Sequence, residues 1–345
     1  MSLGRTFKLN SGYEIPAVGL GTWLSKPHEV EDAVEVALRT GYRHIDGAPV
    51  YRNENEVGRG WKKSGVPREQ IFLTSKLWNT HHRPEHVEEQ LDKTLKDLQT
   101  DYLDLYLIHW PVAFEYAGEE LKPVDPVTKR FKLAKVPIGD TWKAMEKLVK
   151  SGKVRSIGVS NFTQEHLDEL LQTAEIPPAA NQIEAHPYLL QPELIQYLKD
   201  KVDGFYPLQY FLLCGLSTPD QIQDILPIAY SPLGNNLAGL PRVIDDPFIK
   251  QLASSLNQDP ATLLISWAVQ RGTAVLSKSV TPSRIESNFQ DVILPEHIFE
   301  TLNRLDRHLR YGFPFQWGLD VFKEVGAEET ERRAEEFAAK QRQQS

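Results

Sequence analysis

The sequence predicts an α/β protein built as one closed (β/α)8 TIM barrel, and three observations carry that prediction. Eight short apolar runs recur along the chain, and each is followed by a stretch with helical periodicity. The length of 345 residues suits a single barrel of this kind. No G-x-G-x-x-G follows the first run, which argues against the open doubly wound sheet that also alternates strands and helices.

The barrel is predicted to be preceded by a short β-hairpin, TFKLNSGYEIPAV, which turns at Asn10–Gly12. The apolar runs that follow are rich in Ile, Leu and Val, as strands buried on both faces require. The predicted strands are VGLGTW, HIDGA, IFLTSKL, YLDLYLIHW, VRSIGVSN, AANQIEAHP, ILPIAYSPLG and TAVLSKS. The predicted helices are Glu29–Thr40, Glu54–Ser64, Pro84–Leu98, Asp140–Ser151, Thr163–Thr173, Pro192–Lys199, Phe248–Asn257, Ala261–Gln270, Arg284–Phe289 and Pro295–Leu309.

Three segments depart from this alternation. Pro111–Gly139 is a loop of 29 residues after the fourth strand, and its length indicates a functional wall or lid. Tyr311–Phe322, YGFPFQWGLDVF, is aromatic and irregular, as expected of a long C-terminal active-site loop. Glu324–Ser345 is charged and poor in apolar residues, which indicates an exposed helix or a frayed tail. We therefore expect one barrel domain over residues 5–322 and a charged tail over 323–345.

Composition and charge narrow the class of protein. Lys and Arg number 39 against 47 Asp and Glu, and the net charge of −8 argues against a nucleic-acid-binding protein. The first ten residues have no apolar stretch of the kind a signal peptide needs, and FYPLQYFLLCGL is too short to span a bilayer. The single cysteine, Cys214, excludes an internal disulfide and fits a reducing compartment. We expect a soluble cytoplasmic protein.

Four ionisable side chains lie at or just beyond the carboxyl ends of three successive predicted strands. Asp46 ends the second strand and is followed by Tyr51, Lys76 lies near the end of the third, and His109 ends the fourth. Because the carboxyl ends of barrel strands share one rim, these groups are expected to converge there and to perform proton chemistry.

A second group, His81, His82 and His86 in NTHHRPEH, superficially suggests a metal site. The cluster has no Cys or acidic ligand, so we expect exposed polar histidines and no bound metal.

The chain resembles the aldo-keto reductases over nearly all of residues 5–322. The resemblance rests on motifs that occur in the order the family has them: GYRHIDGAPVYRNENEVG, the lysine of FLTSKLW, LDLYLIHWP, GVSNF, NQIE, AYSPLG and KSVTPSRIESNF. It implies an NADPH-dependent carbonyl reductase on a barrel that has no separate dinucleotide-binding fold.

The resemblance implies roles for the four ionisable residues. Tyr51 would be the general acid that protonates the carbonyl oxygen, although a phenol with a pKa of about 10 is a reluctant donor near neutrality. The cation of Lys76 is expected to lower that pKa, and Asp46 to keep Lys76 charged and oriented. His109 is expected to position the substrate carbonyl.

Cofactor contacts are implied in the same way. Ser160, Asn161 and Gln182 would hydrogen-bond the nicotinamide carboxamide, and Tyr230 would stack on the nicotinamide ring. Further contacts of the pyrophosphate, ribose phosphate and adenine are implied for Ser231, Leu233, Lys278, Ser279, Arg284 and Asn288.

The pair Lys278 and Arg284 is implied to clamp the 2′-phosphate of NADPH. Two cations at a phosphate monoester favour NADPH over NADH, because each adds a charge-assisted hydrogen bond. Ser287 departs from the family, since many members carry Glu there.

The substrate pocket implied by the resemblance is apolar and aromatic. It is expected to include Trp23, Val50, Trp78 and Trp110, together with residues of the C-terminal YGFPFQW. Such a lining selects aldehydes and ketones with hydrophobic or modestly polar bodies.

Val202–Gln223 is an atypical insertion, because the family runs directly from its sixth helix into the seventh strand. It could be a surface insertion at the end of the barrel opposite the active site. It could also be a translated intron, since every Val codon begins with GT, a Gln codon can end in AG, and 22 residues correspond to 66 nucleotides. We favour the intron, because FYPLQYFLLCGL would expose an apolar patch.

The expected function is NADPH-dependent reduction of aldehydes or ketones to alcohols. Candidate substrates are sugars, glyceraldehyde-like compounds, general aldehydes and specialised-metabolite carbonyls. One alternative is oxidation of a polyol such as glycerol with NADP+, and another is a nucleotide-binding regulatory subunit without turnover. We expect a monomer with no nucleic-acid or membrane partner.

Overall fold

A closed barrel of parallel strands forms the centre of the molecule, as the sequence predicts. The computed structural model describes residues 2–200, 224–236 and 239–344. Within these ranges a hairpin of β1 (Thr6–Lys8) and β2 (Glu14–Pro16) precedes the barrel. The barrel strands are β3 (Val18–Gly21), β4 (His44–Asp46), β5 (Phe72–Leu77), β6 (Leu103–Ile108), β9 (Val154–Ser160), β10 (Ala180–Glu184), β11 (Leu226–Tyr230) and β12 (Ala274–Lys278). They pair in chain order, and β12 closes the barrel onto β3.

Helices connect the strands on the outside of the barrel. In chain order they are α1 (Val30–Thr40), α2 (Glu54–Ser64), α3 (Pro84–Leu98), α4 (Ile138–Lys150), α5 (Gln164–Leu171), α6 (Pro192–Asp200), α7 (Pro247–Ser255), α8 (Pro260–Gln270), α9 (Pro282–Asn288), α10 (Glu296–Leu302) and α11 (Ala327–Gln344). Two glycines let α2 approach its neighbours closely. A Cβ on Gly58 would lie 2.5 Å from the carbonyl oxygen of Asp97, and a Cβ on Gly60 would lie 2.5 Å from that of Glu31.

The hairpin closes the amino-terminal end of the barrel. Leu9 and Ile15 are fully buried and pack with apolar side chains from inside the barrel, among them Leu105, Ile228 and Leu276. A larger apolar layer separates the strands from the surrounding helices. The predicted site lies at the opposite end, where the barrel strands have their carboxyl ends.

One predicted helix is shorter than expected. The helix predicted over Pro295–Leu309 ends at Leu302. Beyond it the chain turns back, because the backbone N–H groups of Arg307 and Leu309 both donate to the carbonyl oxygen of Tyr188. That contact holds residues 303–310 against the barrel in an irregular conformation.

Two of the three unusual segments are more ordered than the sequence indicated. The loop over Pro111–Gly139 contains a small hairpin of β7 (Ala113–Phe114) and β8 (Leu133–Ala134). The charged tail forms the helix α11, in agreement with the helix alternative, but Thr330, Ala334 and Ala338 are buried along one side of it. This helix is therefore docked on the protein along one face.

The Val202–Gln223 segment lies outside the described residues. Its flanks, however, are close together, since the backbone N–H of Ile225 donates to the carbonyl oxygen of Leu198 over 3.1 Å. These flanks lie at the end of α6 and the start of β11, at the end of the barrel opposite the predicted site.

Candidate active site

Asp46 and Lys76 form a buried ion pair at the carboxyl ends of β4 and β5. Lys76 Nζ lies 2.6 Å from Asp46 Oδ1 and donates a second hydrogen bond to the carbonyl oxygen of Gly47 over 2.8 Å. Asp46 Oδ2 accepts a hydrogen bond from Gln182 Nε2 over 2.8 Å. Burial lowers the pKa of Lys76, and the Asp46 carboxylate opposes that shift. The ammonium group is thus fixed at one position in the barrel mouth.

Tyr51 lies beside this ion pair, with Lys76 Nζ 5.3 Å from the centre of its ring. Burial raises the pKa of Tyr51 well above its ordinary value, and the neighbouring side chains of Asp46, Tyr230 and Glu54 raise it further. The lowering of this pKa expected from Lys76 does not prevail. The Lys76 charge is matched by Asp46 at 2.6 Å, so desolvation of the phenolate dominates. The phenol is therefore protonated at neutral pH.

His109 lies at the end of β6, next to Tyr51. The two ring centres are 5.9 Å apart with the rings nearly perpendicular, and Trp78 lies 5.1 Å away on another side. Burial lowers the pKa of His109 well below its ordinary value, and Lys76 and His82 lower it further. The imidazole is therefore neutral, and a neutral imidazole can donate one hydrogen bond to a substrate oxygen.

The four residues predicted to hold a nicotinamide group are brought together at the ends of β9, β10 and β11. Ser160 Oγ donates to the carbonyl oxygen of Gln182 over 2.9 Å, and Tyr230 donates from its hydroxyl to Asn161 Oδ1 over 2.7 Å. Asn161 Nδ2 donates to the carbonyl oxygen of His109 over 3.0 Å. Its φ of +63° lies in the left-handed region, which Asn tolerates better than most residues. Amide donors and acceptors here suit a carboxamide ligand.

The remaining predicted cofactor residues follow β11 and β12. Ser231 and Leu233 lie in the turn after β11, where the backbone N–H of Gly234 donates to the Ser231 carbonyl oxygen. Lys278 ends β12, and its Nζ donates to the carbonyl oxygen of Leu24 over 3.3 Å. Burial lowers the pKa of Lys278.

The end of β12 leads into α9 through Ser279, whose Oγ accepts a hydrogen bond from the backbone N–H of Thr281. Helix α9 carries Arg284 on its exposed side and Asn288 on its buried side. Lys278 and Arg284 therefore belong to one strand–helix connection at the barrel mouth, and two cations there suit a phosphate group.

An aromatic wall stands over His109, and we use this name for Trp78, Trp110, Phe114, Phe131, Trp317 and Phe322. The ring centres of Trp110 and Trp317 are 4.9 Å apart, and those of Trp78 and Phe114 are 6.0 Å apart. The predicted pocket residues Trp78 and Trp110 belong to this wall and Val50 packs against it. Trp23 lies outside the cluster and is 39% exposed.

Phe114 and Phe131 were missed by the sequence analysis, which identified the long loop as a wall without naming its residues. The signal was weak, because nothing in the loop sequence specifies which of its aromatic residues turn inward.

Glu184 was also missed, although it ends β10 within the quoted NQIE motif. Its carboxylate is fully buried and accepts hydrogen bonds from the backbone N–H groups of Tyr311, over 2.7 Å, and Gly312, over 2.8 Å. His186 Nε2 lies 3.0 Å from the same carboxylate. Glu184 thus fixes the start of the C-terminal active-site loop to the barrel mouth.

The three histidines near α3 are not all exposed, contrary to expectation. His81 and His82 are buried, and burial lowers the pKa of His81 to about 4 and that of His82 to about 3. His86 stacks on Tyr116 with ring centres 3.6 Å apart. Over the described ranges, no group of three or more His, Cys, Asp or Glu side chains is arranged to hold a metal ion.

The barrel fold and the matches to known proteins define an oxidoreductase of the aldo/keto reductase family. The family model matches residues 17–307, and the chain belongs to this family. It acts on CH–OH and C=O groups with a nicotinamide cofactor and reduces carbonyl groups to alcohols. No helix in the described part of the chain is long and apolar enough to cross a membrane.

Known relatives span nearly the whole chain. A D/L-glyceraldehyde reductase of Hypocrea jecorina is 44% identical over 339 residues, which cover 93% of this chain and 95% of the relative. An NADPH-dependent D-xylose reductase of Meyerozyma guilliermondii is 40% identical, with 90% and 96% covered. The solved aldose reductase of Schistosoma japonicum superposes with a TM-score of 0.79 at 40% identity, covering 93% of this chain and all of that one.

Proposed function

We propose that this protein is an NADPH-dependent reductase of aldehydes and ketones, with small hydroxyaldehydes and open-chain sugars as its substrate class. The observation that carries the proposal is the position of Tyr51 beside the buried Asp46–Lys76 pair and His109. The relatives named for glyceraldehyde, xylose and aldose reduction support the substrate class.

Tyr51 acts as the proton donor in this proposal. NADPH, when bound, supplies the hydride. As the carbonyl oxygen becomes negative, the Tyr51 hydroxyl donates its proton to it, and His109 donates a hydrogen bond that orients the same oxygen. Lys76 stabilises the resulting phenolate by charge, and its own position is held by Asp46 and Gly47. Acid–base catalysis of this type contributes about 10²–10⁴-fold in rate.

The raised pKa of Tyr51 keeps the phenol protonated through neutral pH. A proton donor must be protonated, whereas oxidation of a polyol needs the phenolate as a base. We therefore expect carbonyl reduction to persist through neutral pH and the reverse reaction to require alkaline pH.

Lys278 and Arg284 support the choice of NADPH over NADH. Both lie at the end of β12 or on the helix that follows, where the 2′-phosphate would have two cationic partners. The carboxamide end would be held by Ser160, Asn161 and Gln182, which already share hydrogen bonds at the mouth.

Oxidation of NADPH and NADH against a panel of aldehydes, ketones and aldoses tests this proposal. The double variant Lys278→Ala/Arg284→Ala should raise the KM for NADPH by at least about tenfold, because the charge-assisted hydrogen bonds to the 2′-phosphate would be lost. The KM for NADH serves as the internal control and should change little. Equal losses for both cofactors would contradict the proposed 2′-phosphate site.

We further propose that residues 5–322 form one functional barrel unit in a cytoplasmic monomer, with 202–223 added to it. The hydrogen bond between Ile225 and Leu198 supports the view that 202–223 is an addition to the barrel. At present 26 residues separate the two bonded residues, and removal of 202–223 would leave four. Connections of four residues are typical between helices and strands of a barrel. Sequencing of the mature transcript tests the intron explanation, which fails if the 66 nucleotides are always present.

A further inference from the structure

The C-terminal helix α11 contacts two of the segments that supply the aromatic wall. It lies beyond residue 307, where the match to the family model ends. Its buried side consists of Thr330, Ala334 and Ala338, spaced one helical turn apart. Small residues along one side allow a helix to lie close to its support, so α11 is shaped to dock rather than to extend into solvent.

The first contact is with the long loop over Pro111–Gly139. Arg130 forms a two-pronged ion pair with Glu331, with N–O distances of 2.8 and 2.7 Å, and lies 3.5 Å from Glu335. Near the other end of α11, Arg342 Nη1 donates to the carbonyl oxygen of Thr128 over 2.7 Å. The loop is thereby held at two neighbouring positions by one helix.

The second contact is with the C-terminal active-site loop. The guanidinium carbon of Arg333 lies 4.1 Å from the ring centre of Phe315. A Cβ on Gly318 would lie 2.6 Å from Arg130 Nη2 and 3.6 Å from Ala334 Cβ. The absence of a side chain at Gly318 therefore lets Arg130 reach α11, so the two loops and the helix meet at one point.

The residues that contact α11 are next to residues of the aromatic wall in the sequence. Phe131 follows Arg130 and its ring centre lies 5.3 Å from that of Phe114. Trp317 precedes Gly318 and its ring centre lies 4.9 Å from that of Trp110 and 5.2 Å from that of Phe114. Loosening of either contact would shift an aromatic ring of the wall.

We propose that α11 is a specificity-determining clamp, in which Arg130 and Glu331 are positioning residues that hold the wall closed for carbonyl substrates with aromatic or other bulky bodies. This inference rests on the proposed reductase function. Small hydroxyaldehydes need only the barrel mouth at Tyr51 and His109, so they depend little on the clamp.

Steady-state kinetics with two aldehydes test the clamp. The variants Arg130→Ala and Glu331→Gln should raise the KM for 4-nitrobenzaldehyde by about fivefold, the effect expected of losing a small network of exposed ion pairs. The kcat, the KM for glyceraldehyde and the Kd for NADPH should each change by less than about twofold, because the barrel mouth is untouched. Added salt should weaken wild-type binding of the bulky aldehyde in the same direction.

Two further variants separate the clamp from a general loss of structure. Arg332→Ala removes an arginine of the same helix whose ion pairs are with Glu329 and Glu336 inside α11, and it should behave as wild type. The charge-swapped double variant Arg130→Glu/Glu331→Arg should recover most of the lost affinity. Equal effects on both aldehydes, or the same effect from Arg332→Ala, would overturn the proposal.

Hydrogen exchange in residues 111–139 gives a readout that does not depend on turnover. Exchange should be faster in Arg130→Ala and unchanged in Arg332→Ala, and no difference between these variants would refute the clamp. Faster exchange together with absent wild-type turnover would contradict the reductase function while supporting the clamp.

Discussion

The barrel mouth and the C-terminal rim of this protein are held together by different kinds of contact. At the mouth, the Lys76 side chain is fully buried, and the Asp46 side chain is only 5% exposed. At the rim, the side chains of Arg130 and Glu331 are 25% and 62% exposed. Charges buried as a pair are costly to separate, whereas exposed ion pairs contribute little each. Changes at the mouth should therefore impair every substrate, and changes at the rim should alter which substrate is preferred.

The largest effect is expected from Lys76→Met, which leaves the Asp46 carboxylate buried and unpaired. The free energy of unfolding should fall by about 3–5 kcal/mol, and kcat should fall by about 10²–10⁴-fold for all substrates. The matched variant Lys76→Met/Asp46→Asn removes the unpaired charge. Denaturant unfolding should show recovered stability in it while kcat stays low, and recovered activity would contradict the role of Lys76.

Glu184→Gln tests the contact that joins the mouth to the rim. The amide oxygen can accept only part of the hydrogen bonding now received from Tyr311 and Gly312. We expect a loss of about 1–3 kcal/mol in the free energy of unfolding, with a larger rise in KM for bulky aldehydes than for glyceraldehyde. Unchanged KM values for both would show that this carboxylate does not position the loop.

A buried carboxyl at the mouth predicts a pH dependence of stability. Glu54 accepts hydrogen bonds from the hydroxyls of Ser75 and Thr94, and burial raises its pKa from 4.5 to about 7. Between those values the folded protein keeps a proton that the unfolded chain has lost, so this contribution to stability is present below pH 4.5 and is lost as pH rises through 7.

Glu54→Gln should remove that dependence. Between pH 5 and pH 8 the wild type should lose about 2 kcal/mol in free energy of unfolding relative to the variant. A difference that stays constant with pH would mean that the carboxyl is not held neutral by burial.

The smallest effect is expected from deletion of residues 202–223, which are distant in sequence from the residues of the barrel mouth and of the C-terminal rim. Shortening the connection between Leu198 and Ile225 from 26 residues to four lowers the entropy cost of closing it. The free energy of unfolding should rise by about 1.5 kcal/mol, with kcat and KM unchanged. A loss of activity in the deleted protein would identify the segment as part of the functional fold.

The sequence was most informative where structure is local and repeated. Apart from the early end of α10, strand and helix positions agree within a few residues, because each helix packs an apolar stripe against a neighbouring strand. Asp46, Tyr51, Lys76 and His109 could be identified because each lies at or just beyond the carboxyl end of a strand, and all strands of a barrel end at the same rim.

Features that depend on distant contacts were not predictable. The raised pKa of Tyr51 follows from burial that only the folded barrel creates. The docking of α11 was missed because Thr330, Ala334 and Ala338 are small. Surrounded by charged residues in the sequence, they do not form a recognisable apolar stripe. The early end of α10 depends on the Tyr188 carbonyl oxygen, more than a hundred residues earlier in the chain.

The most direct test of the whole account is a comparison of wild type with Tyr51→Phe in NADPH oxidation and NADPH binding. The variant keeps the ring and loses only the hydroxyl, so the Kd for NADPH should be unchanged. The kcat for aldehyde reduction should fall by about 10²–10⁴-fold, since the proton donor is gone. Wild-type turnover in Tyr51→Phe would contradict the assignment of Tyr51 as the acid, and with it the account of the barrel mouth.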